Sequence, residues 1–247
     1  MINSQNRNNK SILKKSSSET KDMNRKEPGQ NSNKVLYVYD KLQDAILNHS
    51  FRPGERLNIS KCSKSLNVSV SPVRESLRLL EANGFVKYIP HIGYIVSELT
   101  IEEIKSLFMI RGSLTSLAAK PACKNITKSN LQNLAAMVSK MKLAIEKGDI
   151  NLWADTNNSF HALIAEISGL PLLRSMIINL QEKSKLIRQY PRAVIMRGPQ
   201  ANKEHSKILS ALKARNADLL EELLRNHELS AGESYAKYVV KYKKQEI

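Results

Sequence analysis

The stretch that decides the fold of the N-terminal half is Cys62–Val86, which reads CSKSLNVSVSPVRESLRLLEANGFV. It predicts a short helix that Asn67 ends, because asparagine readily adopts the left-handed backbone that terminates helices. After a tight turn over residues 68–70, we expect Ser71 to cap a second helix that carries Pro72 in its first turn. Two helices joined by so short a turn have the layout of a helix-turn-helix.

The second helix of this pair has an apolar face and a basic face. Val73, Leu77 and Leu80 recur at helical spacing, so we expect them to face the core. Arg74 and Arg78 lie one turn apart on the other side. The first turn of such a helix enters the DNA major groove in helix-turn-helix proteins, which makes DNA binding one interpretation. A helical hairpin with a solvated salt-bridge face is the other.

A two-stranded hairpin is predicted directly after the helix-turn-helix. Phe85–Ile89 is rich in aromatic and β-branched residues, Pro90–Gly93 has turn chemistry, and Tyr94–Ser97 is β-prone again. Such a hairpin is a wing, and it favours the DNA-binding interpretation. With a first helix over Val35–His49, the segment becomes a winged helix-turn-helix of three helices and a hairpin. The candidate DNA-contacting residues lie in the turn, on the second helix and in the wing: Ser69, Ser71, Arg74, Arg78, His91 and Gly93.

Residues 35–98 resemble a known DNA-binding domain in three separated segments, which read FRPGERLN, LNVSVSPVRESLRLLEANGFV and HIGYIV. The resemblance is to the winged helix-turn-helix of the GntR family of bacterial transcription regulators. Arg74 is retained, whereas Val70 and Ile92 stand where the family often has arginine. Because one base-reading arginine contributes roughly 1–3 kcal/mol of discrimination, the resemblance implies either an uncommon operator or a lower affinity.

Length and charge set further bounds. With 247 residues the chain is long enough for two domains, and its net charge of +16 favours a polyanionic partner. Residues 1–34 are rich in Asn, Ser, Lys and Gln and predict a disordered basic tail. No apolar run approaches the roughly 18 residues of a membrane span, and the N-terminus lacks a secretory signal. Cys62 and Cys123 have no metal-type spacing. We therefore expect a cytoplasmic protein with no membrane partner.

Residues 99–247 carry only helical signals. Thr100 and Glu103 have the spacing of a capping box and mark the start of the first helix. The fold class is therefore mainly α, with the winged helix-turn-helix followed by an all-α bundle of six or seven helices. The predicted helices cover residues 104–123, 131–148, 153–167, 172–195 with a break near 190–191, 200–214 and 217–239.

Three of the five histidines fall in this helical region, on different predicted helices. His161, His205 and His227 have apolar neighbours, and Asn157 lies one turn before His161 on the same helix face. Neutral imidazole commonly binds divalent transition metals, so three convergent histidines with an oxygen ligand would make a metal site. The alternative is that each histidine is a structural group in the bundle core.

A second resemblance covers the segments that carry these histidines, which read NSFHALIAEISGLPLL, EHSKILSAL and LRNHEL. They resemble the FCD domain, the effector-binding half of FadR-type GntR regulators. His161, His205 and His227 match its three metal-binding histidines, and Asn157 replaces its aspartate. The resemblance therefore implies that the helical domain binds an effector and, through these residues, a metal ion.

The implied effector is a small carboxylate. Arg111 matches the arginine of the family's R..lE motif, although Thr115 replaces its glutamate. Because Asn157 offers only a neutral oxygen, the site should bind a metal more weakly than an aspartate site. Its three imidazoles favour Zn²⁺ or Ni²⁺ over Mg²⁺ or Ca²⁺. A metal-free pocket, in which the histidines and Arg111 bind the carboxylate directly, is also open. The candidate effector-binding residues are Arg111, Asn157, His161, His205 and His227, and the last four are the candidate metal ligands.

These observations predict a transcription regulator and not an enzyme. We expect a homodimer, because pairing on a palindromic operator supplies affinity that a single helix-turn-helix lacks. Effector binding in the helical domain would change the operator affinity. A hydrolase is a second hypothesis, but no acidic residue lies three or four positions from His161 to act as a general base. A third is a packaging protein that binds DNA by charge, without sequence preference.

Overall fold

Residues 30–48 and 50–243 are described by a computed structural model of the chain, which divides into two compact units after Glu98. The first unit contains α1 (Gln30–Leu47), α2 (Ile59–Leu66), α3 (Val70–Ala82), β1 (Val86–Ile89) and β2 (Gly93–Val96). These elements form the predicted winged helix-turn-helix. Residues 30–34 of the predicted tail belong to α1, and the rest of that tail lies outside the described residues.

The core of the first unit forms where the apolar faces of α1 and α3 meet. The α3 residues whose spacing predicted burial are fully buried: Val73, Leu77 and Leu80. The Ser76 hydroxyl donates to the Val35 carbonyl oxygen at 2.6 Å and ties α3 to α1. The two strands pair antiparallel with Val86 opposite Val96, which confirms the predicted wing.

The turn between α2 and α3 is two residues shorter than the sequence predicted, because α3 begins at Val70 and not at Pro72. Asn67 adopts the left-handed conformation with φ 53°, and the Ser63 hydroxyl donates to the Val68 carbonyl oxygen at 2.6 Å. Ser69 is therefore the residue that precedes α3, and Ser71 lies inside the first turn. The prediction that Ser71 caps α3 is wrong, since Asn67 has already reversed the chain direction.

The second unit is an all-α bundle, as predicted. A capping box between Thr100 and Glu103 starts its first helix. The helices are α4 (Ile101–Leu117), α5 (Ala119–Asn125), α6 (Lys128–Glu146), α7 (Ile150–Ile167), α8 (Pro171–Ser184), a short 3-10 helix (Lys185–Gln189), α9 (Pro191–Lys213) and α10 (Ala217–Lys243). The helix predicted to end near Cys123 is thus divided at Ala118 into α4 and α5. No helix in the described part of the chain is long and apolar enough to cross a membrane.

Helix α9 is longer than the sequence predicted. We expected one helix to end near Ile195 and another to begin at Gln200, but α9 continues through Pro199. A proline inside a helix removes one backbone hydrogen bond. Packing outweighs this loss, because Gly198 lies so close to the Ile145 side chain of α6 that a Cβ would clash there. The continuous helix carries one of the histidines of the site.

Candidate metal and effector site

Three buried histidines, here called the histidine cluster, meet in the second unit. His161 comes from α7, His205 from α9 and His227 from α10. Their ring centroids lie 4.6 to 5.4 Å apart, and one ring nitrogen of each lies within 4.8 Å of the others. Side chains that are far apart in the sequence therefore converge, and nitrogen ligands at this spacing could hold a divalent metal ion.

Burial keeps two of these imidazoles neutral. It lowers the pKa of His161 well below the usual value, and the nearby His227 and Arg111 lower it further. Burial also lowers the pKa of His205, and its two histidine neighbours and Arg197 add to the effect. A neutral imidazole offers a lone pair to a metal ion, whereas an imidazolium does not.

Glu204 fixes the orientation of His227. Nδ1 of His227 lies 2.7 Å from Oε2 of Glu204, and Arg197 pairs with the same carboxylate oxygen. Burial acts to raise the pKa of Glu204, but the hydrogen bonds from His227 and Arg197 outweigh it and lower the pKa to about 2. The ionised carboxylate holds Nδ1 of His227, and this contact turns Nε2 of the ring towards the other histidines. That Nε2 lies 3.2 Å from Nε2 of His161.

Three buried nitrogens of the histidine cluster have no hydrogen-bond partner among the described residues. They are Nδ1 of His161 and both ring nitrogens of His205. Buried polar groups are nearly always hydrogen-bonded, so a structural histidine with neither nitrogen bonded would be unusual. The interpretation of His205 as a satisfied core group is therefore disfavoured, and the donor set fits a metal ion.

Arg111 is held by α8 and α10. Its Nη2 lies 2.9 Å from Oε1 of Glu228, and its Nη1 donates to the Ser184 hydroxyl at 2.9 Å. Both members of the ion pair are buried, with side chains 3% and 1% exposed. A Cβ at Gly112 would lie 3.2 Å from the Arg225 carbonyl oxygen, so glycine allows the close approach of α4 and α10. The guanidinium is thus fixed before any ligand binds.

A cavity of about 50 Å³ brings part of the predicted site together. Arg111, Asn157 and His227 all line it. The Asn157 amide oxygen is buried and has no hydrogen-bond partner in the described part of the chain, so it is available to a ligand. His161 and His205 adjoin the cavity through the His227 ring, whose centroid lies 4.9 and 4.6 Å from theirs. The structure therefore places the candidate residues in one connected region.

Several charged residues of this region were not predicted from the sequence: Glu204, Glu228, Arg188 and Arg197. One signal was available, since Glu204 directly precedes His205 and Glu228 directly follows His227. The two arginines had no comparable signal, because their carboxylate partners lie 33 and 7 residues away along the chain. Pairings of this kind depend on how the helices pack.

The predicted DNA-contacting residues, here called the reading surface, lie at the surface of the first unit. Those on the turn and α3 are exposed: Ser69, Ser71, Arg74 and Arg78. In the wing, His91 is exposed with a left-handed φ of 64°, and Gly93 is half-buried with φ 102°. Val70 and Ile92 are 39% and 46% exposed. The positions where arginines were expected are therefore also accessible, but they are apolar.

A winged helix-turn-helix followed by a helical bundle, with a cavity that combines apolar walls and a few charged groups, is typical of a DNA-binding transcription regulator with a small-molecule sensing domain. Comparison with known families confirms this class. The bacterial regulatory proteins of the gntR family match residues 34–96, and the FCD domain matches residues 106–230. The chain therefore belongs to the GntR family, in the group of regulators that carry an FCD domain.

The relatives are regulators of the same kind. The chain is 27% identical to the HTH-type transcriptional regulator YdhC of Bacillus subtilis over 197 residues, which cover 78% of this chain and 86% of that protein. It is 26% identical to the HTH-type transcriptional repressor RspR of Escherichia coli, with 80% and 86% covered. The solved structure of E. coli McbR/YncC superposes with a TM-score of 0.68 at 24% identity, covering 85% of this chain and 98% of that one. The structural likeness confirms the fold, and the relatives are regulators and not enzymes.

Proposed function

We propose that this regulator binds a palindromic operator as a homodimer in the cytoplasm, and that a small carboxylate bound in the helical domain changes its operator affinity. The observation that carries the proposal is the histidine cluster beside a cavity that Arg111 lines. A sensor needs polar groups shielded from water, and a DNA reader needs an exposed tip. The cavity beside the histidine cluster provides the shielded polar groups, and the start of α3 provides the exposed tip.

A divalent metal ion would be held by the histidine cluster, with Asn157 as a neutral oxygen ligand. A nitrogen-rich set suits Zn²⁺ or Ni²⁺ better than Mg²⁺ or Ca²⁺. Two observations support this assignment: the unpartnered nitrogens of His205, and the Glu204 contact that turns Nε2 of His227 towards Nε2 of His161. When bound, the ion supplies an electrostatic anchor for a carboxylate oxygen.

The carboxylate would lie in the cavity beside Arg111, Asn157 and His227. Glu228 and Ser184 already order the Arg111 side chain, so little conformational entropy is lost when it binds an anion. Nε of Arg111 has no acceptor among the described residues and is free to donate to a ligand. A charge-assisted hydrogen bond of this kind would also hold a carboxylate if no metal were bound.

The reading surface would contact the operator at three places. Arg74 would reach a guanine edge or a phosphate, and the hydroxyls of Ser69 and Ser71 at the N-terminus of α3 would contact phosphates. His91 and Gly93 in the wing would approach the backbone or the minor groove. Because one recognition helix covers only a few base pairs, two copies on a two-fold symmetric operator supply the remaining affinity.

Selection of bound fragments from the parent genome tests the DNA-binding half of the proposal. We expect a footprint with two-fold symmetry, in which the half-sites lie about one helical turn or a multiple of it apart, and a protein that elutes as a dimer. Binding without sequence preference and with a steep salt dependence would instead indicate charge-driven packaging.

Dialysis of the metal-stripped protein against Zn²⁺ tests the metal half. We expect the wild type to retain an equimolar amount of Zn²⁺ and His205→Ala to lose it. His91→Ala is the matched control, because it removes an exposed wing histidine from the other unit and should retain the ion. Equal retention by His205→Ala and the wild type would contradict the ligand assignment.

A further inference from the structure

The cations that line the cavity are neutralised by the protein itself. Each one has a carboxylate partner: Arg111 with Glu228, Lys185 with Glu182, Arg188 with Asp155 and Arg197 with Glu204. Among the described residues of the cavity wall, these four cations and Glu228 are the only Lys, Arg, Asp or Glu, and the other three carboxylates approach their cations from outside the wall. Every cation of the wall therefore has a protein counter-charge before a metal ion or a ligand binds.

The proposed metal ligands add no negative charge to this balance. Imidazole and amide side chains carry no negative charge at ordinary pH, so none of these ligands offsets the charge of a metal ion. A divalent ion on these ligands would add two positive charges in a place where the three histidines are at most 5% exposed. Charge that is buried without a counter-charge is costly, so a ligand that supplies the counter-charge is strongly favoured.

We propose that the effector is a small dicarboxylate whose two negative charges balance the metal ion, a proposal that rests on the metal site proposed above. The wall also has unused donors for a second carboxylate. Nε of Arg111 on α4, and Nε and Nη1 of Arg197 on α9, are buried without an acceptor among the described residues. Donors on separate helices suit an anion with two separated acidic ends better than a compact anion such as phosphate. The cavity of about 50 Å³ limits the ligand to a small molecule.

Calorimetric titration of the Zn²⁺-loaded full-length protein with succinate and with succinamate tests the charge directly. Succinamate has nearly the same shape as succinate but carries one negative charge fewer. We expect succinate to bind at least about tenfold more tightly, because one unit charge near a divalent ion in a buried site is worth more than that factor. This preference should be smaller in the metal-stripped protein, in which only the arginine donors remain, and inorganic phosphate should bind to the loaded protein more weakly than succinate.

Asn157→Asp provides a matched variant, since it keeps the shape of the side chain and adds one negative charge at the cavity wall. We expect its affinity for succinate to fall and its preference for succinate over succinamate to shrink by about tenfold. Asn179→Asp adds the same charge at an exposed position of α8 that does not line the cavity, and it should keep the wild-type preference.

The outcomes separate this inference from the proposed metal site. Equal affinity of the Zn²⁺-loaded wild type for succinate and succinamate would overturn the dicarboxylate assignment and leave the metal site standing. A wild type that takes up no Zn²⁺, measured as metal content before any titration, would overturn both. Tighter binding of phosphate than of succinate would overturn the assignment of two separated acidic ends. The comparison of succinate with succinamate uses only the wild type, so it tests the proposal even if the Asn157→Asp variant does not fold.

Discussion

The reading surface and the histidine cluster are both polar, but they differ in their access to water. Arg74 and Arg78 on α3 are exposed, whereas Arg111 and Arg197 are only 3% and 4% exposed and each is bonded to a carboxylate. A surface cation costs little to maintain, while a buried one is stable only together with its partners. A substitution at the reading surface should therefore affect only the contacts of the side chain that is replaced. A substitution in the bundle should also disturb the buried residues to which that side chain is bonded.

The largest expected effect comes from breaking the buried ion pair. Glu228→Ala leaves the Arg111 guanidinium buried without its counter-charge, so the free energy of unfolding of the helical domain should fall by about 3–5 kcal/mol. Urea unfolding followed by circular dichroism measures this. The control is Glu221→Ala, whose 3.2 Å pair with Arg225 is exposed and should change stability by no more than about 0.5 kcal/mol. Equal effects of the two substitutions would remove the distinction between the buried and the exposed regions.

A smaller effect is expected where a buried carboxylate orients a metal ligand. Glu204→Gln weakens the acceptor for Nδ1 of His227 and should lower Zn²⁺ affinity by about 10- to 100-fold. Competition with a chelating dye measures the affinity, and Glu221→Gln is the exposed control. Unchanged Zn²⁺ affinity in a folded Glu204→Gln protein would show that the carboxylate does not position the histidine.

At the reading surface, the effect should depend on the residue's place along α3. Arg74→Ala near the start of the helix should cost about 1–3 kcal/mol and relax operator specificity at one position. Arg78→Ala, one turn later, should weaken binding to all sequences alike and reduce the salt dependence by about one ion. Gel-shift titrations against the operator and single-base variants distinguish the two. A loss of specificity in Arg78→Ala alone would reverse the assigned roles.

The smallest effect tests the corrected start of α3. Ser71→Ala should change the free energy of unfolding by less than about 0.5 kcal/mol, because Ser71 lies inside the first turn and does not cap the helix. Loss of a true helix cap costs about 1 kcal/mol. A loss of that size on Ser71→Ala would restore the capping role that the sequence suggested.

The two regions also differ in how far their sequence predicts them. The faces of α3 and the wing follow from local periodicity and turn residues, and Val73, Leu77 and Leu80 are buried as expected. The predicted start of α3 was two residues too late, because Ser69 and Ser71 are both good capping residues and the local pattern does not decide between them. Interactions between residues that are close in the sequence therefore determine most of the secondary structure of this domain.

In the bundle, the sequence identified the histidines but not what holds them. The pairing of Arg197 with Glu204 and of Arg111 with Glu228 depends on how α4, α9 and α10 pack, and no local pattern encodes it. The continuation of α9 through Pro199 has the same origin, since packing of Gly198 on α6 outweighs a lost backbone hydrogen bond. Contacts between residues that are far apart in the sequence therefore determine both the ion pairs and the length of α9.

The most direct test of the central claim is the operator affinity of the full-length protein in three states: metal-stripped, Zn²⁺-loaded, and Zn²⁺-loaded with saturating succinate. If the histidine cluster senses a ligand on behalf of the reading surface, the wild type should change its affinity by about 5- to 150-fold between these states. His205→Ala should have one affinity in all three. A wild type whose operator affinity is the same in every state would contradict the account.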